Sequence, residues 1–306
     1  MAIICTVVTP CYNAEKYIYT TIGSVLNQTA FLSGRAELDY IIVDGNSTDS
    51  TINVIQETVN SHRLGKYVKI ISEHDNGMYD ALVKGMKIAK GNIFSYINAD
   101  DFYNQTAFDI VIEIMKNNDV KWLTGWQIGY NEAGQIISLI NPFYYRKNFI
   151  KQGLYGPVLP VIQQESTFWR AELNQNINFE ILSKFKLAGD YYLWTEFAKH
   201  FQLYIVETYL GGFRHRKENL GKSGDYRSEQ LDTVIGKLSF YDKITLFFDR
   251  IFWKYNGKDG FVGKLKMRIS QVVHFVFDQD QNRWVTLSGY PGKRTIERFL
   301  YKRKKR

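Results

Sequence analysis

Cysteine is almost missing from this chain of 306 residues, with only Cys5 and Cys11. Two cysteines give no disulfide framework and no cysteine-rich metal site, and a reducing, cytosolic compartment is the natural expectation. Long apolar runs are missing too. None approaches the roughly 18 residues of a membrane-spanning helix, so the expected place is the cytoplasm, with peripheral attachment to the inner face of the cell membrane left open. The apolar stretch from Met1 to Pro10 has no basic segment before it and reads as a buried strand rather than a signal peptide. Internal repeats and low-complexity tracts are absent as well. Acidic charge is in deficit, with a formal net charge of +8 and a pI of about 9.2. The excess is local. Lys293, Arg294, Arg298, Lys302, Arg303, Lys304, Lys305 and Arg306 stand against Glu297 alone, so the rest of the chain is close to neutral. A groove-wide basic footprint is therefore excluded, and no nucleic acid is expected as a partner.

What is present is ordinary globular composition, 45% hydrophobic and 23% charged, long enough for one α/β domain and an appendage. Ile3 to Val8 reads as a buried parallel strand, and Glu15 to Gln28 as a helix with Ile18, Ile22, Val25 and Leu26 on one side. Tyr40 to Val43 is a second strand. Thr48 or Asp49 would cap a helix burying some of Ile52, Val54, Ile55 and Val59. Val68 to Ser72, Gly77 to Ala89 and Ile93 to Ile97 continue the alternation as strand, helix and strand. Alternation of this kind predicts a mostly parallel, doubly wound sheet with helices on both faces, whose ligands bind beyond the carboxyl ends of the strands. Four polar clusters fall at those ends: Thr9 to Asn13, Asp44 to Asp49, Asp75 to Asp80 and Asn98 to Asp101. Three segments are expected: 1–105 for the nucleotide, 106–237 for the acceptor, and 238–306 as an amphipathic basic region. In the middle segment Trp122, Trp126, Tyr130, Phe143, Tyr144 and Tyr145 are compatible with cover over an acceptor groove, and Leu187 to Phe201 reads as a helix entered through Gly189-Asp190.

Adjacent carboxylates at a strand end, Asp100 and Asp101, can ligate a hard divalent ion whose shell diphosphate oxygens complete. Asp is equally common at turns and helix starts, so the pair alone is ambiguous and the other clusters weigh in its favour. Asp44 is placed to accept hydrogen bonds from a base or ribose, with Gly45 allowing close backbone approach. Asp75-Asn76-Gly77 is a turn signal that sets Asp75 near the same ligand, whereas Asp80 has the bland reading of a first-turn acid favoured by the helix dipole.

Together, Thr9-Pro10-Cys11-Tyr12-Asn13, Val43-Asp44-Gly45-Asn46-Ser47-Thr48-Asp49, Asp75-Asn76-Gly77-Met78-Tyr79-Asp80-Ala81 and Asn98-Ala99-Asp100-Asp101 resemble glycosyltransferase family 2 in order and spacing. Gln164-Glu165-Ser166-Thr167-Phe168-Trp169 and Leu187-Ala188-Gly189-Asp190-Tyr191 extend the likeness to roughly residue 215. The resemblance implies a GT-A (Rossmann-like) fold, a nucleoside-diphosphate sugar donor, UDP-sugar first, and inversion at the anomeric carbon. It implies a Mn2+ or Mg2+ cofactor and a glycan or lipid-linked glycan acceptor in bacterial surface-polysaccharide assembly. Pro10, Tyr12, Asn13, Asp44, Asp75 and Gly77 would surround the nucleotide, Asp100 would lie near the ribose or sugar, and Asp101 would be the main metal ligand. Asp190 would be the base, in a motif where many relatives have an acid at the position of Gly189; its bland alternative is a helix N-cap. Glu165 is the competing acid, and Trp169 either a platform for a sugar ring or a core residue. Phe213-Arg214-His215 is similar to a late element of the family, one residue shorter, with His215 as a further metal contact and Arg214 or Arg216 neutralising leaving-group charge. A sugar nucleotidyltransferase would need a Gly-rich basic loop after the first strand, which Thr9 to Asn13 does not supply. An inactive nucleotide-sugar scaffold is the other alternative, disfavoured by the joint presence of Asp44, Asp100, Asp101 and Asp190.

In the last segment Tyr241, Ile244, Phe248, Ile251 and Tyr255 recur at helical spacing, broadened by Phe240, Phe247, Phe252 and Trp253. Leu265, Ile269, Val272, Val273 and Val276 repeat the pattern beside Lys264, Lys266 and Arg268. Two readings stay open: helices packed on the catalytic domain, or an interfacial anchor on an anionic membrane.

Overall fold

The computed structural model describes residues 2–142, 144–216, 225–254 and 273–288. In its first half, strands β1 (Ile4–Cys11), β2 (Glu37–Asp44), β3 (Val68–Ser72) and β4 (Ile93–Tyr96) alternate with helices α1 (Ile18–Leu26), α2 (Thr29–Leu32), α3 (Thr51–Asn60) and α4 (Met78–Ile88). Then follow β5 (Phe102–Tyr103), α5 (Ala107–Ile114), β6 (Trp122–Thr124), β7 (Gln127–Tyr130), β8 (Ile136–Ile140), α6 (Lys147–Lys151) and β9 (Thr167–Arg170). The chain continues through α7 (Phe179–Leu182), α8 (Gly189–His200), β10 (Leu203–Val206), β11 (Gly211–Arg214), α9 (Asp225–Asp232), α10 (Phe240–Lys254), β12 (Val273–Asp278) and β13 (Arg283–Ser288).

The main sheet has nine strands in the order β13-β12-β10-β6-β9-β4-β1-β2-β3. It is mostly parallel, with β9 reversed between β4 and β6 and β13 reversed at the edge. A second sheet has the order β5-β11-β7-β8 and packs against the first, Tyr103 of β5 meeting Phe168 of β9 at 5.5 Å. Both faces of the main sheet are covered, which explains why β1 and β2 read as unbroken apolar runs rather than alternating ones. The period of two sorts their residues. Cys5, Val7, Leu38, Tyr40 and Ile42 pack with α1, α3 and α5 in one core, whereas Val8, Ile41 and Val43 pack with α4 and α8 in the other.

Several aromatic residues leave the roles that their spacing allows. Trp122 is fully buried and stacks on Trp194 at 5.8 Å, and Tyr145 is equally buried, so neither lines a groove. Trp169 stacks on Phe94 at 5.6 Å and donates its indole N–H to Asn174, which makes it core and not a sugar platform. The helical pattern drawn through Val273 and Val276 is corrected to strand β12. A short β-branched and aromatic run fits either period, and pairing with β10 and β13 decides it. Phe143, Tyr255, Leu265, Ile269, Val272 and the basic tail 291–306 lie outside the described residues. Helix α10 is fixed to the domain by one face: Asp249, wholly buried, takes two hydrogen bonds from Arg146 at 2.6 and 2.9 Å, and Trp253 tilts against Tyr145. No helix among the described residues is long and apolar enough to cross a membrane.

Candidate active site

β1 lies between β2 and β4, and the chain winds outward from it in both directions, so the crevice of this sheet opens beyond Cys11. Strand register brings Cys11 beside Asp44 and Asp44 beside Ser72. The first two loops are stitched together. Asn13, held at a φ of 47°, accepts from the Thr48 N–H at 2.9 Å and donates its own N–H to the Ser47 hydroxyl at 2.8 Å. Ala14 donates to Thr51 at 2.7 Å, and Ser50 to Glu15 at 2.8 Å. Asp49 accepts from the Thr51 N–H at 3.0 Å at the entry to α3, whose N-cap is Ser50 rather than the expected Thr48 or Asp49. Asp44 is fully buried and braces this loop, accepting from the N–H and hydroxyl of Ser47 and from the Ser72 hydroxyl at 2.7 Å, with the Cys11 thiol 3.8 Å away. Pro10 is buried in the strand, whereas Tyr12 stands out from the rim, 61% exposed. Asp75 lies directly over Gly45, where a Cβ would come within 2.6 Å of its carboxylate, and it accepts from the Gly77 N–H at 2.8 Å. Gly77 has a φ of 122°, a conformation that side chains other than glycine's resist.

The acids gather at the end of β4. Asp101 is fully buried; it accepts from the Arg214 N–H at 2.7 Å and from Asn98 at 3.3 Å. Burial, followed by the nearby carboxylates of Glu165 and Asp100, holds its pKa well above the usual range. Glu165, on the turn Gln164–Ser166, is pushed up to about 7, chiefly by burial. The two carboxyl groups act on each other, an interaction that raises Asp101 and lowers Glu165. Asp100 is mostly buried but less so than Asp101, its side chain 14% exposed, and it meets the Arg216 guanidinium at 2.6 Å. Burial raises its pKa against the opposing pull of Arg216. Arg214 is a bracket: Nε donates to the Asp100 carbonyl at 2.7 Å, a terminal nitrogen to the Glu132 carbonyl at 2.7 Å, and the guanidinium lies over Tyr17 and Phe102.

Asp190 occupies the first turn of α8 and is not its N-cap. Its carboxylate accepts from the Tyr226 hydroxyl at 3.0 Å and the Tyr191 N–H at 2.7 Å. Burial pushes its pKa up to about 6 despite these donors. Tyr79 fixes the backbone beside it, accepting from the Asp190 N–H and donating to the Leu187 carbonyl, both at 3.0 Å. Gly189 has a structural reason: a Cβ there would stand 2.5 Å from the Tyr79 ring. Just before it, the N–H groups of Lys186, Leu187 and Ala188 all donate to Glu229 of α9.

Asp101 therefore feels the charge of both Glu165 and Asp100, and Asp190 acts on Glu165 through its charge. His215 goes elsewhere: its ring lies edge-on to Phe213 at 5.1 Å and over Gly129 beside Ser138. Among the described residues no three His, Cys, Asp or Glu side chains form a ready metal cage. A divalent ion fits here only in the open manner of nucleotide sites, on one carboxylate with phosphate oxygens supplying the rest. Asp100 suits that role. It is the more exposed of the pair, and its carboxylate already meets a cationic side chain. Sequence reasoning missed Tyr79, Tyr226 and Glu229. Tyr79 stood inside a quoted motif without a role, while Tyr226 and Glu229 sit in a polar stretch that carries no motif.

The fold and sequence both have known counterparts. The Glycosyl transferase family 2 model matches residues 6–177, more than half of the chain. An uncharacterized glycosyltransferase of Haemophilus influenzae is 25% identical over 258 residues, covering 80% of this chain and 75% of its own. Staphylococcus aureus TarS 1–349 in complex with UDP-GlcNAc superposes with a TM-score of 0.55 at 17% identity, covering 88% of this chain and 71% of that one. The mannosyltransferase PcManGT from Pyrobaculum calidifontis, in complex with GDP-Man and Mn2+, gives 0.55 at 14% identity, with 81% and 71% covered. With its mostly parallel sheet, its stitched loops at the β1 crevice and its acids at the end of β4, this chain belongs to glycosyltransferase family 2 and has the GT-A fold.

Proposed function

We propose that the chain transfers a sugar, with inversion, from a nucleoside-diphosphate sugar to a hydroxyl of a glycan or lipid-linked glycan during surface-polysaccharide assembly, with a UDP-sugar as the first donor to try. The observation that carries this reading is Asp190: a carboxylate with a pKa near 6, buried beside the acid cluster and held by Tyr226 and the Tyr191 N–H. Such a group is ionised at neutral pH yet basic enough to take a proton. In the proposed reaction it accepts the proton of the acceptor hydroxyl as that oxygen attacks the anomeric carbon. The bond to the diphosphate breaks on the opposite side, and the electron pair leaves with the nucleotide. Tyr12 offers its exposed ring to the base, and the braced loops of Asp44 and Asp75 shape the nucleotide's bed. Arg216 would move its charge from Asp100 to the departing diphosphate. A divalent cation on Asp100 would supply further neutralisation of that charge. Asp101, expected to be the main ligand, is proposed instead as the inner anchor that sets Asp100 and β11, because its oxygens point to Arg214 and Asn98.

The test is a panel of nucleotide sugars scored by thermal stabilisation with and without Mn2+. Asp100→Asn should lose the metal-dependent part. Asp190→Asn should keep it, while transfer falls by about 10²–10⁴-fold. Metal dependence lost only in Asp101→Asn would return the ligand to Asp101. Full transfer by Asp190→Asn would move the base to Glu165.

A further inference from the structure

Helix α10 is held by one face and, among the described residues, exposed on the other. Asp249 and Phe252 are buried, and Asp242 is taken up by the N–H and hydroxyl of Ser239. The helix cannot roll to hide its opposite face without breaking the Arg146–Asp249 pair. On that outer face Phe240, Ile244, Phe247 and Ile251 follow spacings of four, three and four, the repeat of a single helical stripe. Phe240 is 79% exposed, Tyr241 77% and Phe247 62%, with Phe248 and the two isoleucines also exposed. Exposed apolar area of this extent, with aromatics in it, marks a contact surface.

The charges say what it contacts. Asp249 is buried and Asp242, half-exposed, is tied to Ser239 and Gln152 away from the stripe, whereas Lys243 and Arg250, seven residues apart, stand exposed along one border of it. Among the described residues the exposed stripe and its border thus carry apolar side chains and positive charge. An antiparallel second copy would set Lys243 and Arg250 against their own equivalents. A layer of anionic headgroups over acyl chains complements both halves of the pattern. The sequence adds eight further Lys and Arg residues between Pro291 and Arg306.

We propose that α10 lies in the interface of an anionic phospholipid bilayer, with Phe240, Ile244, Phe247 and Ile251 entering the acyl boundary and Lys243 and Arg250 meeting the headgroups. This assignment is independent of the transfer reaction, and the Arg146–Asp249 pair ties the docking helix to the rest of the domain.

The full-length protein is floated with phosphatidylcholine vesicles, with and without about 30 mol% phosphatidylglycerol. The wild type should bind the anionic vesicles and release as salt rises. Phe240→Ser with Phe247→Ser should weaken that binding by about tenfold or more. Lys243→Glu with Arg250→Glu should weaken it on anionic vesicles alone. All four side chains are exposed, so an unchanged thermal midpoint and unchanged thermal stabilisation by nucleotide sugars serve as the folding control. Anionic binding by the Phe240/Phe247 variant equal to wild type would leave the basic tail as sole anchor and overturn the proposal. So would a wild-type dimer in sedimentation that the same variant dissolves, with no vesicle binding.

Discussion

At the scale of single residues the balance around Asp190 matters most. Its ionised form is stabilised by the Tyr226 hydroxyl and the Tyr191 N–H, and burial opposes them. If Asp190 is the base, activity should rise with pH through about 6 and then level off. Tyr226→Phe removes a donor to the carboxylate, so the acid limb should move upward by about one to two units, a hydrogen bond to a charged group being worth roughly 1.5–3 kcal/mol. A kcat/KM profile checks it, and an unmoved limb would leave Tyr226 with packing alone. The residue types Asp100, Asp101 and Asp190 were legible as chemistry from their places at strand and helix ends. Their orientation was not, because neighbouring residues after a strand point in different directions, and only packing shows that Asp101 turns inward to the Arg214 N–H while Asp100 meets Arg216.

At the scale of elements, α8 depends on a helix far along the chain. Glu229 of α9 accepts from three successive N–H groups that α8's entry would otherwise leave unpaired. Glu229→Ala should cost about 1–3 kcal/mol, or about 2–4 °C of thermal midpoint per kcal/mol. It should lower kcat more than it weakens nucleotide-sugar binding, since the loosened turn carries Asp190. Calorimetry with steady-state kinetics separates the two, and an equal loss of binding would show a general collapse instead. The alternation of β1 to β4 with their helices was readable because each strand is a short apolar run between turn signals. The antiparallel insertion of β9 between β4 and β6 was not, since direction leaves no mark on an apolar run. Nor was the α8–α9 bond, which joins residues more than forty positions apart by backbone donors that any sequence possesses.

At the scale of the molecule, burying several carboxylates together links stability to pH. Asp190 and Glu165 have folded-state pKa values of about 6 and 7, above the ordinary 3.8 and 4.5. The folded state therefore binds their protons more tightly. That contribution is fully present below about pH 4 and is lost as pH rises through 6 to 7. Over pH 5 to 8 the protein alone should lose thermal stability, and Mn2+ with a nucleoside diphosphate should restore part of it at pH 8. A midpoint rising steadily to pH 8 would contradict the protonated cluster. The two thiols give the same molecule a built-in clock. Cys5 is sealed in the core of β1, and Cys11, in the same strand, rests beside Asp44 beneath the stitched loops of the crevice. Alkylation of Cys5 should keep time with global opening, while that of Cys11 should keep time with the site. A bound donor should then slow Cys11 beyond its effect on Cys5, so mass spectrometry of the unmodified chain would measure occupancy without a label.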